Sequence, residues 1–316
     1  MKEKTARVCG IQAPCKINLH LCIGEKRPDG FHDVASVFAA LALSDTLRFE
    51  RAGPQGVSVL DVNCRRPCGA IPPEDNLVLK AAALFRERTG FAGGLRIRLD
   101  KRVPVGAGLG GGSSNAASTL LALNALAGAP LSGNELTELS ATLGSDVPFF
   151  LAGGAAFVSG RGEVVEPVKA PAGLWVVLVK PPFSSDTKTA YRLLDEAREH
   201  GCCREPGREQ ATHAPSKDVL IRSLEGGPGT WPFYNDFLPL FLREDGAEAD
   251  AYRAILEGLR QAGASFAGLS GSGSCCFGVF VTEKMAKNAE KELKGAKNDV
   301  NLTFFLARKA KIVLEY

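Results

Sequence analysis

Pro104-Val-Gly-Ala-Gly-Leu-Gly-Gly-Gly-Ser-Ser-Asn-Ala-Ala117 is the stretch on which the reading of this chain turns. Five glycines fall within the seven residues from Gly106 to Gly112, and a helix-forming run, Ser118 to Ala127, follows without a break. Glycines at that density let backbone N–H groups approach an anion that a Cβ would hold away. The helix behind them adds its first, unpaired N–H groups and the positive end of its dipole. Together they describe a phosphate cradle. A flexible Gly/Ser linker is the plain alternative, but a linker has no need of the apolar Leu120-Leu-Ala-Leu-Asn-Ala-Leu126 that comes next.

Two familiar glycine motifs compete for these residues, and both fail. Gly106, Gly108 and Gly111 satisfy G-x-G-x-x-G by letter, but that fingerprint needs an acid about 20 residues on, at a strand end. The next acid is Glu135, inside the capping pattern Ser132-Gly-Asn-Glu that opens a second helix. A Walker A loop needs Lys before its Ser/Thr, and Gly112 is followed directly by Ser113-Ser114.

Outward from the loop, Leu95 to Asp100 alternates as a strand leading into it. Further back, Ile17 to Ile23 alternates, Arg27-Pro-Asp-Gly30 supplies a turn, and Val34 to Phe49 resumes the strand pattern. A helix with an Asp or Asn cap is predicted from Asp75 to Phe85. After the loop, two helices cover Ser113 to Leu143, and Gly144-Ser-Asp-Val-Pro-Phe-Phe150 breaks the helical pattern. Strands return as far as Lys180. Residues 198–230 are polar and rich in Gly and Pro, a surface excursion near a domain boundary. Helices at about 248–262 and 283–294 flank a second glycine turn, Ser270 to Ser274, and closing strands reach Tyr316. The pattern is α+β, with a division expected between residues 173 and 174.

Composition excludes several classes. The chain has 316 residues, 45% of them hydrophobic, and a formal net charge of +3, too weak for a nucleic-acid binder. No apolar run approaches the length of a membrane span, and the amino terminus lacks a signal peptide's apolar middle. Nine cysteines, an odd number with two adjacent pairs, fit a disulfide framework poorly, so reduced thiols in a cytoplasmic protein are expected. Cys64-Arg-Arg-Pro-Cys68 and the Cys202-Cys203 pair near His200 are the weak candidates for metal.

Three separated segments, Pro14-Cys-Lys-Ile-Asn18, Pro104 to Ala117 and Leu269-Ser-Gly-Ser-Gly-Ser274, resemble the three motifs of the GHMP kinases in order and spacing. The resemblance implies a two-domain fold, with a ribosomal-protein-S5-like first domain and a ferredoxin-like second. It also implies ATP and Mg²⁺ as cofactors. Asp29-Gly-Phe-His32, Gly144 to Phe150 and Phe233-Tyr-Asn-Asp236 resemble the members that phosphorylate the 2-hydroxyl of a cytidine-diphosphate-linked methylerythritol in isoprenoid precursor synthesis. Other members, acting on homoserine, mevalonate or a sugar, and a non-catalytic nucleotide-binding module are the competing readings. The partners expected are small molecules, with no nucleic acid or membrane, in a monomer or weak homodimer.

By this resemblance Asp146 is the general base and Lys16 the cation beside it, although a turn-capping Asp and a strand-start Lys are the ordinary readings. Asn18 shares the strand face of Lys16 and would hydrogen-bond the acceptor. Phe31 and His32 would take the cytosine by stacking and hydrogen bonding, with Phe233 or Tyr234 closing the stack and Phe233 preferred. Thr187 would touch substrate phosphate or cap the helix that follows. On the nucleotide side stand Pro104, Gly106, Gly108, Gly110, Gly111, Gly112, Ser113 and Ser114, with Asn76, Leu77 and Lys101 near the adenine. Asn76 is equally a helix cap, and Asn115 is assigned to helix structure. Some relatives bind the metal through a Glu beyond the loop, but no acid lies between Asp100 and Glu135, so metal ligands stay unassigned. Cys15, next to Lys16, is expected to make the site sensitive to thiol reagents.

Overall fold

The computed structural model describes residues 7–52, 58–64, 72–200, 215–243, 245–294, 297–308 and 311–315. The first half runs β1 (Val8–Lys26), β2 (His32–Ala52), β3 (Ser58–Cys64), α1 (Leu77–Thr89), β4 (Gly94–Lys101), α2 (Gly111–Leu126), α3 (Gly133–Ala141), α4 (Val147–Ala152), β5 (Ala155–Ser159) and β6 (Val164–Val168). The second runs β7 (Trp175–Lys180), α5 (Thr187–Glu199), α6 (Lys217–Ser223), α7 (Phe237–Arg243), α8 (Ala247–Gln261), β8 (Phe266–Leu269), β9 (Cys276–Phe280), α9 (Glu283–Leu293), β10 (Asp299–Phe304) and β11 (Ile312–Glu315).

Two sheets organise these elements. The first has the order β11-β1-β2-β4-β3, with β5 also on β2 and β6 on β5; the second is β10-β7-β9-β8. One apolar core fills the space between the first sheet and α1 to α4, and a second lies between the sheets. A third lies on the far face of the second sheet, under α5, α7, α8 and α9. The last strand, β11, pairs antiparallel with Val8 to Ile11, so the carboxyl end returns to the first sheet across the division expected near residue 173.

A register break on β1 decides which way the site residues face. Cys9, Ile11 and Ala13 pack in the core beneath the helices, whereas Cys15, Ile17 and Leu19 pack between the sheets. Pairing with β2 jumps from Pro14↔Ser44 to Cys15↔Leu41 at the same point. Such an irregularity turns alternate side chains over to the other face. Lys16 and Asn18 are thereby directed to the helix side, towards the start of α2.

Most expected elements are present, including the Ser132/Glu135 capping box of α3 and the Asn76 cap of α1, whose side chain accepts from Val78 N. Three readings are corrected. Gly144 to Phe150 was expected only as a break, but Val147–Ala152 forms the short helix α4, with Pro148 in its first turn, where proline is compatible with a helix. The 198–230 excursion is not all surface: Leu220 of α6, Leu224 and Trp231 are buried between the sheets. Residues 201–214, with the Cys202-Cys203 pair, lie outside the described residues, as does Cys68. Cys64 is disulfide-bonded, against the expectation of free thiols throughout, while Cys9, Cys15, Cys22, Cys275 and Cys276 are free. No described helix is long and apolar enough to cross a membrane.

Candidate active site

The three motifs converge through backbone contacts. Lys16 N donates to Leu109 O at 3.0 Å, and Cys275 N donates to Ala107 O at 3.2 Å. Ser270 Oγ donates to Gly108 O at 2.9 Å and accepts from Asn18 N at 3.3 Å. The fit leaves no room for side chains: a Cβ at Gly110 would lie 2.9 Å from Phe150 Cζ and 3.1 Å from Lys16 Cγ. Gly110 ends the loop, α2 starts at Gly111, and its unpaired N–H groups face the same space.

Lys16 is buried at the mouth of this loop, with 4% of its side chain exposed, and its Nζ lies 3.3 Å from Asp146 Oδ2. Asn18 Oδ1 accepts from the same ammonium at 2.6 Å, and the Phe38 ring lies 4.5 Å away, under the charge. Asn18 is oriented in turn by donating to Ser36 Oγ at 3.1 Å. Asp146 occupies the N-cap position of α4 but makes no capping hydrogen bond, which removes the capping explanation for it. Its carboxylate is about one-third exposed, so one side meets Lys16 and the other is open to a substrate.

A cavity of 590 Å³ lies along the loop and takes in Asn76, Leu77, Lys101, Pro104, Gly106, Gly108, Gly110, Gly111, Gly112 and Ser113. Ser114 is not in its wall: that side chain is fully buried in α2 with no hydrogen-bond partner among the described residues. Asn115, assigned by sequence to helix structure, lines the cavity instead, and its Oδ1 is buried without a partner there. Lys101 is engaged by an acid that sequence reasoning missed. Asp45, fully buried, accepts from Lys101 Nζ at 2.5 Å and from the Arg102 and Val103 backbone at 2.7 and 2.8 Å. This carboxylate fixes the segment that enters the phosphate loop. Asp45→Ala strands a buried ammonium and two amides, and is expected to cost roughly 3–5 kcal/mol of stability, read as a lowered urea midpoint.

Phe31, just before β2, is exposed, not part of the core, with the Arg161 guanidinium 5.0 Å from its ring centre. His32 stands beside it on β2. Thr187 Oγ1 lies 2.8 Å from Ser272 Oγ, and the capping role falls to Asp186, which accepts from Thr189 N. Phe233 is a correction. It is buried against Trp231, Phe266 and His20 in the core between the sheets, so its ring is not free to stack on a base. The motif around it is structural: Asn235 Nδ2 donates to Leu269 O and Gly271 O, and Asp236 accepts from Ile23 N. Tyr234 packs edge-on against His20. The aromatic that does meet His32 is Tyr191 of α5, stacked at 5.1 Å and 30°. Burial, and then the Asp146 charge, push the Tyr191 hydroxyl above its ordinary range.

Cys15 is fully buried, and its thiol is pushed well up, first by burial and then by Cys275 and Asp45. The expected sensitivity to thiol reagents therefore has no basis at this residue, since only the thiolate reacts.

This loop, with a paired lysine and aspartate at its mouth, defines a class. Residues 76–154 match the GHMP kinases N terminal domain and residues 233–299 the GHMP kinases C terminal domain. The chain belongs to the GHMP kinase family. Among its relatives, the chloroplastic 4-diphosphocytidyl-2-C-methyl-D-erythritol kinase of Oryza sativa subsp. japonica is 40% identical over 84% of this chain, which spans 63% of that relative's length. The putative 4-diphosphocytidyl-2-C-methyl-D-erythritol kinase of Streptococcus equi subsp. zooepidemicus is 37% identical, over 90% of this chain and 94% of the relative. A crystal structure of 4-(cytidine 5'-diphospho)-2C-methyl-D-erythritol kinase superposes with a TM-score of 0.73 at 31% identity, covering 93% of this chain and 98% of that one. A homoserine kinase from Cytophaga hutchinsonii shares the fold, with a TM-score of 0.68 at 16% identity.

Proposed function

We propose that this chain transfers the γ-phosphoryl group of ATP to the 2-hydroxyl of 4-diphosphocytidyl-2-C-methyl-D-erythritol. The observation that carries the reading is the 3.3 Å contact of Lys16 with Asp146 beside the glycine loop. Asp146 accepts the hydroxyl proton as that oxygen attacks the γ-phosphorus, and ADP leaves. Lys16 neutralises charge on the acceptor oxygen and the phosphoryl group, and Asn18 holds that ammonium in place. The loop amides and the start of α2 hold the triphosphate, since phosphoryl transfer depends mainly on positioning and electrostatics.

No described group of three His, Cys, Asp or Glu is arranged to hold a metal. Of the two oxygen-bearing side chains at the start of α2 in the cavity wall, Ser113 is partly exposed whereas Asn115 Oδ1 is buried, and oxygen donors suit Mg²⁺. We assign Ser113 to it, with ATP and water completing its shell. Bound there, Mg²⁺ supplies charge neutralisation on the phosphates.

Phe31 and Tyr191 take the two sides of the cytosine, and His32 its edge. Phe31→Ala and Tyr191→Ala are each expected to raise the acceptor KM roughly 5- to 150-fold, the worth of one base–aromatic stack, with the ATP KM near wild type. Phe233→Ala is expected to lower thermal stability instead, as a buried aromatic deletion does, without a selective effect on the acceptor. A coupled ADP-release assay with the cytidylylated methylerythritol, mevalonate and homoserine tests the whole reading. Turnover of the cytidylylated compound no faster than mevalonate would overturn the substrate.

A further inference from the structure

Three ionisable groups form a chain where the β1–β2 hairpin meets α5. Lys26 Nζ donates to Asp195 Oδ2 at 2.8 Å, and His32 Nε2 lies 2.7 Å from Asp195 Oδ1. The His32 side chain is 4% exposed, so its ring has little freedom. One turn before Asp195 on α5, Tyr191 covers a face of the imidazole. One turn after it, Arg198 donates to Ile23 O and Gly24 O at 2.5 and 2.6 Å, tying the helix to the hairpin. The carboxylate thus reaches one chosen ring nitrogen from a rigid mount.

Burial opposes ionisation of Asp195, but hydrogen bonds from Lys26 and His32 outweigh it and hold the carboxyl below its ordinary range. An ionised carboxylate only accepts. Nε2 therefore carries the hydrogen, and in the neutral ring Nδ1 is left as a bare acceptor. No described residue is hydrogen-bonded to Nδ1.

We propose that Asp195 sets the base specificity of the acceptor site by fixing His32 in the tautomer whose Nδ1 accepts from the 4-amino group of cytosine. The 4-oxo group of uracil would meet a lone pair at the same place. Discrimination then comes from repulsion of the wrong base as much as from attraction of the right one. This inference rests on the reading of His32 as the residue at the base edge. Asp195 is a positioning residue: it acts on the base through His32 and does not touch the reacting atoms.

The test compares cytidine diphosphate- and uridine diphosphate-linked methylerythritol as acceptors for the wild type, Asp195→Asn and Asp195→Glu. The ratio of their kcat/KM values is expected to fall roughly tenfold or more in Asp195→Asn, about the discrimination of one base-edge contact. The loss should lie in the KM of the cytidine compound, and Asp195→Glu should recover much of the ratio. A merely structural role would weaken both acceptors alike. An unchanged ratio in a folded Asp195→Asn protein overturns the proposal. Long-range proton–nitrogen NMR of His32 in the wild type needs no variant. In the neutral ring, a hydrogen on Nε2 and none on Nδ1 supports it, and the reverse overturns it. Failure of the wild type to use the cytidine compound would instead strike the functional reading, with the NMR result still deciding the tautomer.

Discussion

Asp146→Asn is expected to bind ATP near the wild-type affinity while turnover falls by roughly 10²- to 10⁴-fold, the range for loss of a general base. The substitution keeps the shape of the side chain and removes its ability to take a proton. Its effect on folding should be small, because Asp146 makes no capping bond to α4 and is about one-third exposed. Lys16 is not stranded either: Asn18 Oδ1 and the face of Phe38 remain with its ammonium. Titration calorimetry with ATP and single-turnover ADP release separate binding from chemistry. A rate within a few-fold of wild type would remove Asp146 from the mechanism. Loss of ATP binding would mean that the residue holds the nucleotide rather than the acceptor proton.

The parts of this site that were legible in the chain are those encoded over a few consecutive residues. The glycine loop, the helix behind it and the Ser132/Glu135 box are local chemistry, and they stand where the spacing puts them. Lys16 and Asn18 were legible as residues on one strand face. That this face turns to α2 depends on the register break at Pro14, which needs β2 as a partner. Asp45 was invisible for a similar reason: it lies 56 residues from the lysine it holds. Phe233 misled because an aromatic next to Tyr-Asn-Asp looks available, whereas its side of the segment packs between two sheets. Tyr191 and Asp195 did leave a signal. With Thr187 they recur every fourth residue on one face of α5, and on that face Tyr191 and Asp195 meet His32 of the hairpin.

Gly108→Ala is expected to abolish most activity by separating two motifs that must touch. A Cβ there would lie 2.1 Å from Ser270 O and 2.9 Å from Gly273 O, both backbone atoms that no rotamer change can move aside. The residue also has φ +72°, so alanine adds left-handed strain of roughly 1–2 kcal/mol. Gly128 isolates that second effect: its φ is +83°, and nothing lies within 4 Å of its would-be Cβ. Gly128→Ala should therefore lower the melting temperature by only a few degrees, at roughly 2–4 °C per kcal/mol, and leave the kinetics near wild type. In Gly108→Ala the Ser270 turn must move off the loop, breaking the Ser270–Gly108 hydrogen bond and carrying with it the hydroxyl that receives Asn18 N. A displacement of about 1 Å at a phosphoryl-transfer site costs roughly a hundredfold in rate. The expected result is a loss of at least that size in kcat/KM for both ATP and acceptor, because the turn lies against both halves of the site. Similar melting temperatures and similar kinetics for the two alanine variants would show that the close contact between loop and turn is not required for catalysis.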